Sequence, residues 1–193
     1  MNKILSITAK ALAGVVLCGA LVYYNFVDKV VVGAEVGDVC PDFSVPTYKI
    51  EDGEFQVGGE EFSIFEQIGK VVVINFWATW CSPCKAELPE FDEIQKSYAD
   101  DVTVIALSGE AKTAEALALW LNTDTQALEN KWNEFTMTFG KYEDSQEDLY
   151  QKLGFTGSLP STLIVDQKGV IVFKKEGKMS YAELETVLSP LLK

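Results

Sequence analysis

Two cysteines three positions apart, Cys81 and Cys84, stand between an apolar run and a helical pattern, and this junction constrains the chain more than any other stretch. The run Val71-Val72-Val73-Ile74-Asn75-Phe76 is rich in β-branched residues and follows Gly69-Lys70, so it predicts a buried strand. Pro83 suits the first turn of a helix, where a missing N–H costs little. Cys81 is thereby placed at the positive end of a helix dipole, where unpaired backbone N–H groups stabilise a thiolate. Cys84, one turn further in, is within disulfide reach and is expected to be the more buried of the two. The pattern predicts a couple in which Cys81 attacks a target thiol or disulfide and Cys84 resolves the mixed disulfide by exchange.

The other bounds are mostly exclusions. A chain of 193 residues with 48% hydrophobic content accommodates one core of ordinary size plus an N-terminal targeting segment. A net charge of -13 argues against nucleic acid as a partner, since both are acidic. The chain has no histidine, which removes the commonest general base and zinc ligand. Haem attachment is excluded as well, because Lys85 stands where that motif needs histidine. Cys18 and Cys40 do not complete a zinc site with the central pair, so no metal is expected.

The segment Trp77-Ala78-Thr79-Trp80-Cys81-Ser82-Pro83-Cys84-Lys85-Ala86-Glu87-Leu88-Pro89-Glu90-Phe91 resembles the active site of TlpA/ResA-type, membrane-anchored thiol-disulfide oxidoreductases. These belong to the AhpC/TSA-redoxin branch of the thioredoxin-like superfamily. Val36-Gly37-Asp38-Val39-Cys40-Pro41-Asp42-Phe43 is similar to that family's entry strand, and Gly157-Ser158-Leu159-Pro160-Ser161-Thr162 to its cis-proline loop. The resemblance spans roughly residues 36 to 193. It implies an α/β thioredoxin-like fold, a central mixed β-sheet flanked by helices, with an N-terminal β-hairpin extension and one N-terminal transmembrane helix. It also implies that Pro160 follows a cis peptide bond facing the thiols, and that the Leu159 backbone pairs with an extended substrate. A carboxylate near the thiols, here Glu87, is a family feature too. Relatives of this kind mostly reduce protein disulfides outside the membrane, for example in cytochrome c maturation, with electrons from an integral-membrane partner of the CcdA/DsbD type. No cofactor is implied beyond the redox-active Cys81–Cys84 disulfide.

Residues 1–32 read as an N-terminal membrane anchor or signal. Lys3 and Lys10 precede the apolar stretch Ala11 to Val27, which ends in Tyr23-Tyr24-Asn25-Phe26. A spanning segment with interfacial aromatics is expected, anchored in the lipid bilayer of the cell membrane as a single pass with the C-terminal domain extracytoplasmic. Cleavage near Val32-Gly33-Ala34 is the alternative. Cys18 reads as a small buried hydrophobe, with lipidation as its alternative, and Cys40 as a packing residue.

Residues 33–38 read as a linker and 39–193 as the thioredoxin-like domain, with an insert around 109–150. Within it, Asp42 to Val57 predicts a hairpin about Glu51-Asp52-Gly53, and Glu60 to Ile68 a short helical turn. Ala86 to Tyr98 has helical spacing with a kink at Pro89, and Val102 to Leu107 predicts a second buried strand. Lys112 to Leu121 predicts a helix, which Thr123 to Lys131 prolongs or follows with another. Trp132 to Phe139 predicts a strand and Gln146 to Leu153 a helix. Thr162 to Val165 and Val170 to Phe173 predict two more strands, and Ser180 caps a last helix.

Glu87 lies three positions after Cys84 on the same helical face. Kept from water, its carboxyl would have a raised pKa and could move the proton between the two sulfurs; the alternative is an ordinary solvated glutamate. Cytoplasmic thioredoxins carry a buried Asp on the strand where this chain has Asn75, which cannot titrate. Trp80, directly before Cys81, is expected to flank the exposed thiol and offer partners an apolar contact. Three other functions compete with protein-disulfide exchange. A thiol peroxidase of the peroxiredoxin-related branch fits poorly with Trp80 before the C-x-x-C. A copper carrier of the SCO type needs a longer cysteine spacing and a distant histidine. A non-enzymatic thioredoxin-like adaptor would have purely structural thiols.

Overall fold

The computed structural model describes residues 32–110, 112–142 and 149–192. The expected anchor, with Cys18 in it, lies outside them apart from Val32, as do Gln146 to Asp148 at the start of an expected helix. Among the described residues no helix is long and apolar enough to cross a membrane.

In chain order the strands and helices are β1 (Ser44–Val45), β2 (Tyr48–Glu51), β3 (Glu54–Val57), β4 (Phe62–Ser63), β5 (Val71–Trp77), α1 (Ser82–Ser97), β6 (Val102–Ser108), α2 (Ala114–Thr123), α3 (Thr125–Glu129), β7 (Thr138–Lys141), α4 (Leu149–Lys152), β8 (Ser161–Val165), β9 (Ile171–Glu176) and α5 (Tyr181–Leu188). Five strands form one sheet in the order β7-β6-β5-β8-β9, with β5, β6 and β7 parallel and β8 and β9 antiparallel. Every residue of β5 is buried, as expected for a strand covered on both faces. Alternation along it separates two apolar clusters. Val71, Val73 and Trp77 face α1, α2 and α5 with Leu88, Phe91, Leu117 and Leu184, while Val72, Ile74 and Phe76 face Tyr150, Leu153 and Phe155.

The β2–β3 hairpin turns at Asp52-Gly53, both at positive φ (53° and 79°), the geometry for which an Asp-Gly pair is suited. Asn122 on α2 clips its edge, donating to the Phe55 carbonyl and accepting from the Phe55 N–H. Three local expectations are corrected and one open alternative is decided. The strand expected at Trp132 to Phe139 begins only at Thr138; a 3-10 turn spans Trp132–Glu134, because Trp132, Phe135 and Phe139 stack on one another instead of alternating. Thr123 to Lys131 holds a separate helix, α3, whose N-cap Asp124 accepts from the Gln126 and Ala127 N–H groups. Glu60 to Ile68 divides into β4, paired with β1, and a 3-10 turn at Phe65–Gln67. The entry segment Val36 to Phe43 is no regular strand. It lies along the edge of the sheet through Gly37 N–H to Ile171 O, Ile171 N–H to Asp38 O and Cys40 N–H to Gly169 O.

Helix α1 carries Pro89 in its interior and Asp92 on its buried face. Asp92 Oδ1 accepts from Thr136 N–H, Thr136 Oγ1 and Met137 N–H, which fastens the approach to β7, and its other oxygen pairs with Lys96 at 2.6 Å. Asp92→Ala orphans these donors and is expected to cost about 3 kcal/mol. Asp92→Asn, which keeps an acceptor there, should recover much of the loss, as urea denaturation midpoints will show.

Candidate active site

Strand β5 delivers the chain to the C-terminal edge of the sheet, where Ala78-Thr79-Trp80 turns it into α1. Cys81 is the N-cap of that helix: its backbone is extended (φ −86°, ψ 94°) and its sulfur accepts from the Cys84 N–H at 3.2 Å. Pro83 occupies the first turn. The two cysteines are joined as a disulfide, with Cα atoms 5.3 Å apart. Cys84 is fully buried, and Cys81 is 3% exposed. Their order of burial matches expectation, but Cys81 is far less open than expected, because in the disulfide both side chains pack within the apolar cluster under α1. Trp80, in contrast, is 71% exposed beside them.

Glu87 is wholly buried, which overturns the solvated alternative. Its Oε1 accepts from Asn75 Nδ2 at 2.8 Å and its Oε2 from the Met179 N–H at 2.7 Å, joining α1 to β5 and to the segment before α5. Burial drives its pKa up from 4.5 to about 7; the two hydrogen bonds and the Lys178 charge oppose this, and Glu90 adds to it. The peptide bond between Leu159 and Pro160 is cis, as the resemblance implied. Leu159 packs against the cluster that holds Cys81 and Cys84.

Other residues support the site without having been singled out in the sequence. The Thr79 N–H donates to a Glu110 carboxylate oxygen at 2.8 Å, and Lys112 bridges the Thr79 hydroxyl (3.1 Å) and Glu110 (2.8 Å). Glu110 lies two residues past the end of β6, and the loops beyond the carboxyl ends of parallel strands are where α/β proteins place functional groups; that was the available signal. Gly109, between β6 and Glu110, lets the Tyr142 ring lie close, since a Cβ there would stand 2.0 Å from its Cζ. Lys85 sits over the Trp120 ring at 5.4 Å and pairs with Asp124 at 3.8 Å, tying α1 to α2 and α3. Cys40 is a buried free thiol whose pKa is pushed up to about 12, first by burial and then by Asp42. No group of three or more potential metal ligands occurs among the described residues.

Residues 36–174 match the AhpC/TSA family. The chain belongs to that family. It is 33% identical over 189 residues to the thioredoxin-like protein YneN of Bacillus subtilis, covering 93% of this chain and 96% of that protein. It is 30% identical over 159 residues to the thiol-disulfide oxidoreductase ResA of Oceanobacillus iheyensis, covering 81% of this chain and 72% of the relative. Among solved structures it is similar in fold to the exposed lipoprotein thioredoxin of Streptococcus pneumoniae, with a TM-score of 0.60 at 23% identity over 78% of this chain and 100% of that one. The chain is a thiol-disulfide oxidoreductase of the thioredoxin-like type.

The Glu87 carboxyl titrates near 4.5 in an unfolded chain and about 7 in the fold, so between these values the folded state holds the extra proton. Its contribution to stability is fully present below pH 4.5 and is lost as pH rises through 7, by about 3 kcal/mol in all. In oxidised Glu87→Gln this fall should vanish, which unfolding midpoints measured from pH 4 to 8 will test.

Proposed function

We propose that this oxidoreductase reduces protein disulfides outside the cytoplasm, held at the cell membrane by its N-terminal segment. The observation that carries the reaction is the buried Glu87 carboxyl, able to gain and lose a proton near neutral pH one helical turn beyond Cys84. In the reduced enzyme the helix end stabilises Cys81 as a thiolate, which attacks one sulfur of a substrate disulfide and releases the other as a thiolate. Glu87 takes the proton from the Cys84 thiol, and the resulting thiolate attacks the Cys81 sulfur of the mixed disulfide. Glu87 returns its proton to the second substrate sulfur and the first takes one from water, so the substrate leaves as a dithiol, two electrons richer, and the enzyme holds the Cys81–Cys84 disulfide. Trp80 gives the substrate an exposed apolar contact, and the Leu159 backbone beside Pro160 pairs with its extended chain.

Two electrons must then return from outside the domain. The resemblance supports an integral-membrane donor of the CcdA/DsbD kind, and cytochrome c maturation as a pathway that uses such a reductant. Membrane attachment is supported by the apolar stretch Ala11 to Val27 behind Lys3 and Lys10, with the positive charge favouring a cytoplasmic N-terminus.

Cys84→Ser should accumulate a mixed disulfide between Cys81 and substrate protein, visible on non-reducing gels, while Cys81→Ser should not. Glu87→Gln should slow exchange by roughly a hundredfold near pH 7 and flatten its pH profile; unchanged kinetics across the pH range would remove Glu87 from the mechanism. A midpoint potential near about -270 mV fits a reductant and one near about -120 mV an oxidant. A disulfide that small reductants cannot open would overturn the enzymatic role and leave the adaptor.

A further inference from the structure

Two polar side chains, Asn75 and Thr162, share the sheet face that α1 covers, and a third, Glu87, reaches down to them from α1. Asn75 and Thr162 are direct register partners on the antiparallel pair β5 and β8. Their side chains therefore leave the same face, with Cβ atoms about 5 Å apart. The packing agrees: Ile164, two residues beyond Thr162, joins the cluster under α1, while Leu163 and Val165 join the opposite one. Asn75, Thr162 and Glu87 are all wholly buried. Asn75 spends its Nδ2 on Glu87, and its Oδ1 has no hydrogen-bond partner; neither has Thr162 Oγ1.

An acceptor and a hydroxyl, both buried and unpartnered at facing positions, each carry a desolvation penalty of about 1–3 kcal/mol unless something satisfies them. They do not bond each other, yet polar side chains that rise from one face at facing positions are neighbours that one buried water can bridge with two ordinary hydrogen bonds. We propose that Asn75 Oδ1 and Thr162 Oγ1 together hold one buried water molecule, and that Thr162 thereby acts as a positioning residue for the proton carried by Glu87. This rests on the acid–base role given to Glu87 above.

The bridge has a chemical purpose. While Glu87 is a carboxylate, Asn75 must present its NH2 to it and its carbonyl to the water, which donates. Once Glu87 is protonated, its O–H needs an acceptor, and an Asn75 amide turned about its last torsion offers Oδ1 to Glu87 and its NH2 to the water. Water and the Thr162 hydroxyl can each donate or accept, so the same pair serves both amide orientations. In the carboxylate state the water also polarises the amide and strengthens the bond it donates to Glu87. Other charged groups around this point are Glu90 on α1, Lys178 before α5, and Lys175 on β9, which faces Thr162 in register and pairs with Glu183 at 2.7 Å, while Cys84 is held in the disulfide. All of these stay in place when the hydroxyl is removed.

The decisive experiment follows the Glu87 side-chain carboxyl by carbon NMR in the full-length oxidised protein. Thr162→Val, nearly isosteric but without the hydroxyl, should move the Glu87 midpoint upward by about one unit, a tenfold change in proton affinity. Thr162→Ser should titrate like the wild type. A Thr162→Val midpoint equal to the wild-type one, or a Thr162→Ser midpoint displaced as far as that of Thr162→Val, overturns the proposal. Should Thr162→Val not fold, the wild type still decides: a long-lived water gives a cross-relaxation peak to the Thr162 methyl, and its absence overturns the proposal. Loss of disulfide exchange in the wild type would instead sink the functional reading, since the titration does not depend on turnover.

Discussion

A carboxyl group shut away from water beneath a disulfide is the constraint from which the rest of this site follows. Glu87 can be buried because two donors from separate parts of the chain converge on it, an amide from the central strand and a backbone N–H from the segment before the last helix. Each contact depends on tertiary structure: the first on the seating of α1 across β5, the second on the way the chain leaves β9 and enters α5. The buried carboxyl and the packing of three elements are thus one arrangement, because both of its donors come from other elements.

The second requirement is a fixed approach to the helix. The turn from β5 into α1 is held from outside by Glu110, which grips the Thr79 backbone, and by Lys112, which joins both. On the far side Lys85 links α1 to α2 and α3 through Trp120 and Asp124. The Cys81 sulfur consequently sits at the N-cap, where it takes a hydrogen bond from the Cys84 N–H, and the position that favours its thiolate is imposed by its surroundings.

The sequence carried the central part of this plainly. The β-branched run before the cysteines, the proline in the first helical turn and the Asp-Gly hairpin each have a local cause, and each formed where expected. Glu87 could be placed on the Cys84 face from spacing alone, but its burial could not, because the atoms that enclose it lie far away in sequence. Glu110 was missed for the same reason. Trp132 to Phe139 misled because aromatic residues favour strands in general, while here their rings gain more by stacking together around a turn. The apparent strand at Val36 to Phe43 is held by backbone bonds to β9, a long-range pairing that no local pattern encodes.

Cys40 gives the described domain a third cysteine, and its burial decides how that thiol behaves. With a pKa of about 12, only about one such thiol in a hundred thousand is ionised at pH 7. Scrambling requires a nucleophilic sulfur, and Cys40 almost never is one. Burial thus holds Cys40 out of the exchange at Cys81 and Cys84, leaving the domain one reactive pairing.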